Sequence, residues 1–289
     1  MASVMNQKIT ATDWPGLRVW LIGASTGIGA ALAESLSALG AKLILSARNI
    51  AMLEEARQRC LVSNPTASLM IQSMDVCDDV AVSQAFSQIQ QQWGGVDLVL
   101  FNAGTYEAVR ADTLNGPDAD RALQVNLLAP IRATALILPK LISTREIQKP
   151  KGIAYVASVA GYRGLPRALT YGPGKAGLIS FAESLWIDLH AIGLNVWVIN
   201  PGFVRTRLTA QNSFEMPALI EPEEAAKEII RGFARGSFEI HFPKRFTQFM
   251  KLMRLLPVGL YLRLTQRLVP PLTPNSTAAT AIDEIKDTP

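Results

Sequence analysis

Two cysteines and two histidines are all that this chain of 289 residues holds. Cys60 and Cys77 are too few for a disulfide framework in a chain too long to need one, and they fit a reducing compartment. With His190 and His241 as the sole histidines, no cluster has metal-ligand spacing, which excludes a structural zinc site. Charged residues make up 18% of the chain against 49% hydrophobic, a balance unlike that of a disordered chain. Low-complexity tracts and repeats with a period of about 20–50 residues are missing as well. No stretch approaches the roughly 20 apolar residues of a membrane span. The opening residues 1–18, with Asn6, Gln7, Lys8, Thr10, Thr12 and Asp13, lack the apolar core of a secretory signal. The expected location is the cytoplasm.

Acid is absent from one segment. Residues 242–271 hold Lys244, Arg245, Lys251, Arg254, Arg263 and Arg267 and no Asp or Glu, while the whole chain carries a net charge of +4. The remainder is therefore mildly acidic, and the basic balance does not mark a nucleic-acid-binding body.

What is present alternates. Short β-rich apolar runs at 17–22, 42–46, 68–74, 97–101, 152–157, 194–200 and 238–242 are separated by helical patterns. Those patterns lie at 28–39, 50–60, 79–93, 117–142, 176–192 and 222–234. The runs are nearly continuous in apolar residues, as a parallel sheet covered on both faces requires. The expected fold is an α/β, Rossmann-type doubly wound sheet of about seven strands with right-handed crossovers. Residues 1–242 form its single domain, 243–272 a basic helical extension and 273–289 a disordered end.

The first run leads straight into Gly23-Ala24-Ser25-Thr26-Gly27-Ile28-Gly29 and a helix. Glycines there permit a tight turn and a close approach of backbone to ligand, and the helix start turns free N–H groups toward an anion. The spacing differs from G-x-G-x-x-G. Its position between strand and helix, ahead of the small Ala30, Ala31 and Ala33, favours a pyrophosphate site over an ordinary turn. At the end of the second run, Leu45-Ser46-Ala47-Arg48-Asn49 offers a guanidinium, and no acid appears before Glu54. An acid would select NAD(H) through the ribose 2′-hydroxyl, so Arg48 favours NADP(H). The plainer reading of Arg48 is a solvated charge at a helix start.

Ser158, Tyr171 and Lys175 follow the fifth run. Tyr and Lys at i and i+4 share one helix face, and an ammonium beside a phenol is expected to lower its pKa from about 10. The serine hydroxyl can polarise a carbonyl.

These residues resemble the short-chain dehydrogenase/reductase family over about residues 17–242. The ordered set is Gly23-x3-Gly27-Ile28-Gly29, Asp75-Val76, Asn102-Ala103-Gly104, Asn126, Ser158, Tyr171-x3-Lys175 and Pro201-Gly202-x3-Thr206. The resemblance implies that Asp75 and Val76 hold the adenine, and that Asn102, Ala103 and Gly104 support the sheet beside the cofactor. Asn126 would brace a water linking Lys175 to solvent, and Pro201, Gly202, Val204 and Thr206 would line the nicotinamide carboxamide. Two departures stand out. Ile22 replaces the family's usual Thr before the first glycine. Tyr171-Gly172-Pro173-Gly174-Lys175 places two glycines and a proline inside the pair, tolerable only if the helix starts near Gly172.

The resulting expectation is an NADP(H)-dependent oxidoreductase acting on a carbonyl/alcohol pair, with Val159, Tyr162, Leu165, Phe203 and residues 208–220 around an apolar substrate. A ketoacyl-thioester reductase of lipid synthesis and a non-catalytic NADP(H)-sensing protein are the rivals. The expected assembly is a homodimer or homotetramer. In the extension, Phe246, Phe249, Met250, Met253 and Leu256 share one face opposite Thr247, Gln248, Lys251 and Arg254. Pro257 and Gly259 break the pattern, and Tyr261, Leu264 and Leu268 repeat it opposite Arg263, Gln266 and Arg267. Two readings stand: a basic amphipathic hairpin on an anionic membrane, or an extension packed on the fold or on a partner subunit.

Overall fold

The computed structural model describes residues 6–144, 149–212 and 214–268. Seven strands form one sheet: β1 Arg18–Ile22, β2 Lys42–Ala47, β3 Leu69–Ser73, β4 Leu98–Phe101, β5 Gly152–Val156, β6 Asn195–Pro201 and β7 Glu239–Phe242. Every pairing is parallel, in the order β3-β2-β1-β4-β5-β6-β7. Alternation along β1 explains the continuous apolar runs. Val19 and Leu21 enter one core, Trp20 and Ile22 the other, and all four are buried. The first core lies under α1 Gly27–Ala38, α2 Ile50–Ser63 and α7 Pro222–Arg235; the second lies under α3 Asp79–Trp93, α5 Ala129–Ser143 and α6 Tyr171–His190.

The sheet order reverses direction between β1 and β4, so the loops leaving these strands part and open a crevice at their carboxyl ends. The glycine turn after β1 and Asn102-Ala103-Gly104 after β4 flank that crevice.

The expected helix at 117–142 is one continuous rod. It runs as α4 Gly116–Leu123, a π-helical turn Gln124–Leu128 and α5. By length and mean hydropathy (1.5) it is apolar enough to cross a membrane, contrary to the expectation of no such stretch. Its inner side is occupied by the fold: Ala129, Ala133, Ile137 and Leu141 are buried in the core under the sheet.

Beyond β7, the cis Phe242–Pro243 peptide leads into α8 Lys244–Arg254 and then α9 Val258–Thr265. The inward face of α8 differs from the expected one. Thr247 and Met250 are buried. Thr247 Oγ1 pairs with His241 Nδ1 at 2.6 Å, and Lys251 Nζ donates to Glu239 Oε2 at 2.5 Å. Phe246 packs on the core while Phe249 is exposed. Thr247 and Lys251, assigned to the solvent side by periodicity, thus face the protein because β7 supplies partners for them. In α9, Tyr261 is buried and Leu264 exposed. The extension packs on its own fold through this inner side. Residues 269–272 of the expected extension and the expected disordered end at 273–289 lie outside the described residues.

Candidate active site

The cofactor turn is built by close backbone approach. Gly23 (φ +93°) lies where a Cβ would come within 2.4 Å of the Ala103 nitrogen, and a Cβ on Gly29 would meet the Gly23 carbonyl oxygen at 2.0 Å. Asn102 Nδ2 donates to that same oxygen at 2.7 Å, locking the end of β4 to the turn. The carbonyl of Ile22 accepts from the Asn102 and Ala103 amides, while its side chain is buried in the core. Gly27 (φ +55°) faces the Thr206 methyl, which a Cβ would reach at 2.9 Å. This contact sets the loop after β6 against the turn.

Ser25 and Thr26 precede α1, and Thr26 makes no side-chain cap. In α2 and α3, Asn49 and Asp78 accept from first-turn amides. The start of α1 therefore keeps its N–H groups for an anion, and Ile28 and Gly29 sit in its first turn.

Arg48 follows β2, its side chain 79% exposed and Nη1 3.9 Å from Asp75 Oδ2. Asp75 Oδ1 accepts from the Cys77 amide at 2.9 Å, and Val76 is buried beside it. After β6, Val204 is buried and Thr209 Oγ1 accepts from the Thr206 amide at 2.9 Å while donating to the Val204 carbonyl at 2.6 Å. A Cβ on Gly202 would collide with the Phe246 ring at 2.8 Å, so α8 backs the Pro201–Thr206 loop directly.

The structure brings the four catalytic candidates together around the ends of β4 and β5. Asn126 lies in the π-helical turn, its Nδ2 donating to the Thr105 carbonyl at 2.8 Å and its Oδ1 accepting from the Thr105 amide at 3.3 Å. Gly104 separates it from Lys175: a Cβ there would be 3.1 Å from Asn126 Oδ1 and 3.5 Å from Lys175 Nζ. Ser158 caps a short 3-10 turn, Val159–Gly161. Its hydroxyl accepts from the Ala160 amide at 3.1 Å and stands close enough to the Tyr171 phenol to act on its pKa.

The Gly-Pro-Gly insertion fits because α6 begins at Tyr171 itself. Pro173 falls in the first turn, where no intrahelical donor is needed. Gly174 lets the helix approach Asn126, whose Cβ would lie 3.2 Å from an added methyl.

Charge at the site departs from expectation. Burial pushes the Tyr171 phenol up to about 12, partly offset by the nearby Ser158 hydroxyl. Burial also brings the Lys175 ammonium down to about 8. Lys175 is 3% exposed, its Nζ donates to the Val156 carbonyl at 2.8 Å, and it stands 5.6 Å from the Tyr171 ring centre. The expected lowering of the phenol pKa by the neighbouring cation is thus reversed, because desolvation of the buried phenol dominates.

Three contributors escaped the sequence reading. Tyr106 packs edge-on against Tyr171 with ring centres 5.1 Å apart. Gly161 admits the Lys175 backbone, which a Cβ would meet at 2.7 Å, so the serine turn and the tyrosine helix can touch. Phe246 joins Phe214 in flanking Phe203, each 5.7 Å away. No short-range pattern marks Tyr106 or Gly161, and the periodicity that picks out Phe246 does not connect it to the site; each acts through a distant partner. Tyr162, expected at the substrate, instead donates its hydroxyl to Glu239. Val159 is buried in the core and Leu165 packs against it. Of the expected loop, Gln211 does reach the site, its Nε2 donating to the Tyr106 carbonyl at 2.8 Å.

A doubly wound sheet with a glycine cradle and a Ser-Tyr-Lys cluster defines a nucleotide-binding oxidoreductase. The sequence model of short chain dehydrogenases matches residues 18–216, and the chain belongs to that family. An uncharacterized oxidoreductase of Myxococcus xanthus is 30% identical over 246 residues, covering 85% of this chain and 95% of that protein. The dehydrogenase/reductase SDR family member 7B of Bos taurus is 28% identical over 85% of this chain and 79% of its own length. Among solved structures, the Pseudomonas aeruginosa RhlG/NADP active-site complex aligns with a TM-score of 0.71 at 21% identity, covering 81% of this chain and 97% of that one. An alcohol dehydrogenase from Thermococcus sibiricus complexed with 5-hydroxy-NADP gives 0.69 at 22% identity, covering 78% and 95%. At those identities the two structures show the fold.

Proposed function

We propose that the chain is an NADP(H)-dependent oxidoreductase interconverting a carbonyl and a secondary alcohol on an apolar substrate, with Asn126, Ser158, Tyr171 and Lys175 as its catalytic set. The observation that carries this reading is Tyr171 and Lys175 side by side on α6, with Lys175 Nζ 5.6 Å from the Tyr171 ring centre and Ser158 close enough to act on the phenol, set at the crevice that the uncapped start of α1 faces. The glycine cradle suits a dinucleotide, since a Cβ at Gly23 or Gly29 would fill the backbone contact that shapes it. Gly23, Ser25, Thr26, Gly27, Ile28 and Gly29 would hold the pyrophosphate, and Asp75 and Val76 the adenine. Asn102, Ala103 and Gly104 would back the cofactor, and Pro201, Gly202, Val204 and Thr206 would hold the nicotinamide. Arg48, exposed, with no acid at the end of β2 and its nearest carboxylate, Asp75 beyond β3, 3.9 Å away, suits a 2′-phosphate. NADP in the Pseudomonas complex and 5-hydroxy-NADP in the Thermococcus one lend support to this preference.

When bound, the cofactor supplies or accepts the hydride. Tyr171, its phenol pushed up to about 12 by burial, holds a proton across the physiological range and delivers it to the carbonyl oxygen in reduction. Ser158 donates to the same developing oxyanion. Lys175 binds the nicotinamide ribose and keeps a cation near the phenol, while Asn126 fixes the Thr105 backbone beside it. Phe203, Phe214, Phe246 and Tyr106 make the surroundings aromatic, which suits an apolar substrate. The same reading takes residues 1–242 as the catalytic domain, a homodimer or homotetramer as the assembly, and the cytoplasm as the location.

The test is titration of NADPH and NADH against tryptophan fluorescence, paired with turnover on a carbonyl panel, for the native chain and Tyr171→Phe. Tighter NADPH binding, retained in the variant, should accompany a fall in turnover of about 10²–10⁴-fold. Equal or tighter NADH binding overturns the cofactor assignment. Near-native turnover by the variant overturns the mechanism, and no turnover by either chain favours a cofactor-sensing protein.

A further inference from the structure

The α8–α9 hairpin is held from one side only. Arg163 Nη1 donates to the carbonyls of Met253, Arg254 and Leu256 at 3.1, 3.1 and 2.7 Å. Its guanidinium also lies 4.2 Å from the centre of the Tyr261 ring. The Tyr261 hydroxyl donates to the Gly164 carbonyl at 2.6 Å, and Lys251 is paired with Glu239 at 2.5 Å. These contacts present the opposite face to solvent as a fixed platform, and that face is unusually apolar. Eight of the sixteen large apolar side chains exposed among the described residues fall between 249 and 268, among them Phe249, Leu252, Leu255, Val258, Leu260 and Leu262. Leu255 is 79% exposed. Isolated exposed apolar groups need no explanation, whereas a concentrated set marks an interaction surface.

Charge selects the occupant. Arg245, Arg263 and Arg267 are exposed and form no ion pair with a described acid, and no acid occurs from 243 to 272. A symmetric contact with a second copy would set these guanidinium groups against themselves, with none of the acids needed to relieve them. An anionic lipid surface satisfies both properties at once, taking the apolar side chains at the acyl boundary and the bases among headgroups.

We propose that the outward face of α8–α9, centred on Phe249, Leu252 and Leu255 and rimmed by Arg245, Arg263 and Arg267, is a docking surface for anionic lipid. The face is not the one periodicity picked, since Phe246, Met250 and Met253 are turned toward the protein. The inference is independent of the catalytic reading, because no proposed catalytic or cofactor residue lies on this face.

The full chain is co-sedimented with vesicles of phosphatidylcholine, with and without phosphatidylglycerol, at low and high salt. Binding should require the anionic lipid and weaken with salt, since the Debye length is about 10 Å at 0.1 M. Each arginine replaced by Gln should weaken binding about fivefold. The triple variant Phe249→Gln, Leu252→Gln, Leu255→Gln should lose binding by at least about tenfold while keeping cofactor affinity and melting temperature. A full chain that stays in the supernatant at low salt overturns the proposal, as does equal binding to neutral vesicles. A self-association seen by sedimentation velocity and abolished by the triple variant also overturns it, in favour of a second copy. Loss of vesicle binding on Met250→Gln in a chain that melts normally, with the triple variant unaffected, would return the contact to the inner face.

Discussion

The glycine turn after β1 and the α8–α9 hairpin are both short, compositionally distinctive segments, yet their chemistry is determined over different distances. In the turn, steric limits on the backbone dictate the residue: Gly23 and Gly29 leave no room for a Cβ, so residue type and spacing carry nearly all the information. In the hairpin, periodicity shows that an apolar stripe exists but leaves open which of two overlapping arcs goes inward. Glu239 and His241 on β7 and Arg163 beyond β5 made that choice by offering partners to Lys251, Thr247 and the end of α8. A segment ruled by sterics is legible locally; one ruled by partner chemistry needs the fold.

This contrast can be broken by substitution. Gly29→Ala should have the largest effect in the turn, because its Cβ meets backbone rather than a movable side chain. An overpacking cost of about 1–3 kcal/mol at the cradle corresponds to roughly 5–150-fold weaker cofactor binding, read by fluorescence titration. A variant that binds cofactor normally would show that the turn tolerates what its geometry forbids.

Lys251→Met tests the hairpin. It leaves the Glu239 carboxylate with Tyr162 and Asn200 as its hydrogen-bond donors, after loss of a charge-assisted bond of about 1.5–3 kcal/mol. Partial exposure of both groups places the expected cost at the lower end. Thermal unfolding should shift down by a few degrees, about 2–4 °C per kcal/mol for a chain of this order of size, with cofactor affinity unchanged. An unchanged melting temperature would mean that the ion pair does not select the inward face.

The smallest expected effect, and the sharpest in sign, concerns Lys175. Its folded value of about 8 lies below the ordinary 10.5, so between these values the unfolded chain binds more protons than the native one. This lysine therefore makes stability rise with pH across that window. Cofactor affinity in the same window should fall, as the ribose-binding ammonium is lost. Melting temperature and cofactor affinity measured from pH 7 to 10 should change oppositely, and Lys175→Met should flatten both contributions. Parallel changes in the native chain would show that Lys175 is not the group that titrates.

The sequence by itself determined the seven-strand parallel sheet, since runs such as Leu98–Phe101 and Asn195–Pro201 are apolar on both faces and only a doubly covered sheet can bury them. The ordered set of candidate residues from Gly23 to Thr206 was legible through resemblance to the short-chain dehydrogenase/reductase family, and only its glycine turn through steric limits on the local backbone. Tertiary structure decided the rest. Tyr106 became part of the site by meeting Tyr171, Tyr162 left it by bonding Glu239, and Gly161 acquired its role from the backbone of Lys175 pressed against it. The phenol and ammonium pKa values moved as they did because of burial, a property of the packed whole. The inward face of α8 was settled in the same way, by polar partners on other elements that no periodicity within the helix encodes.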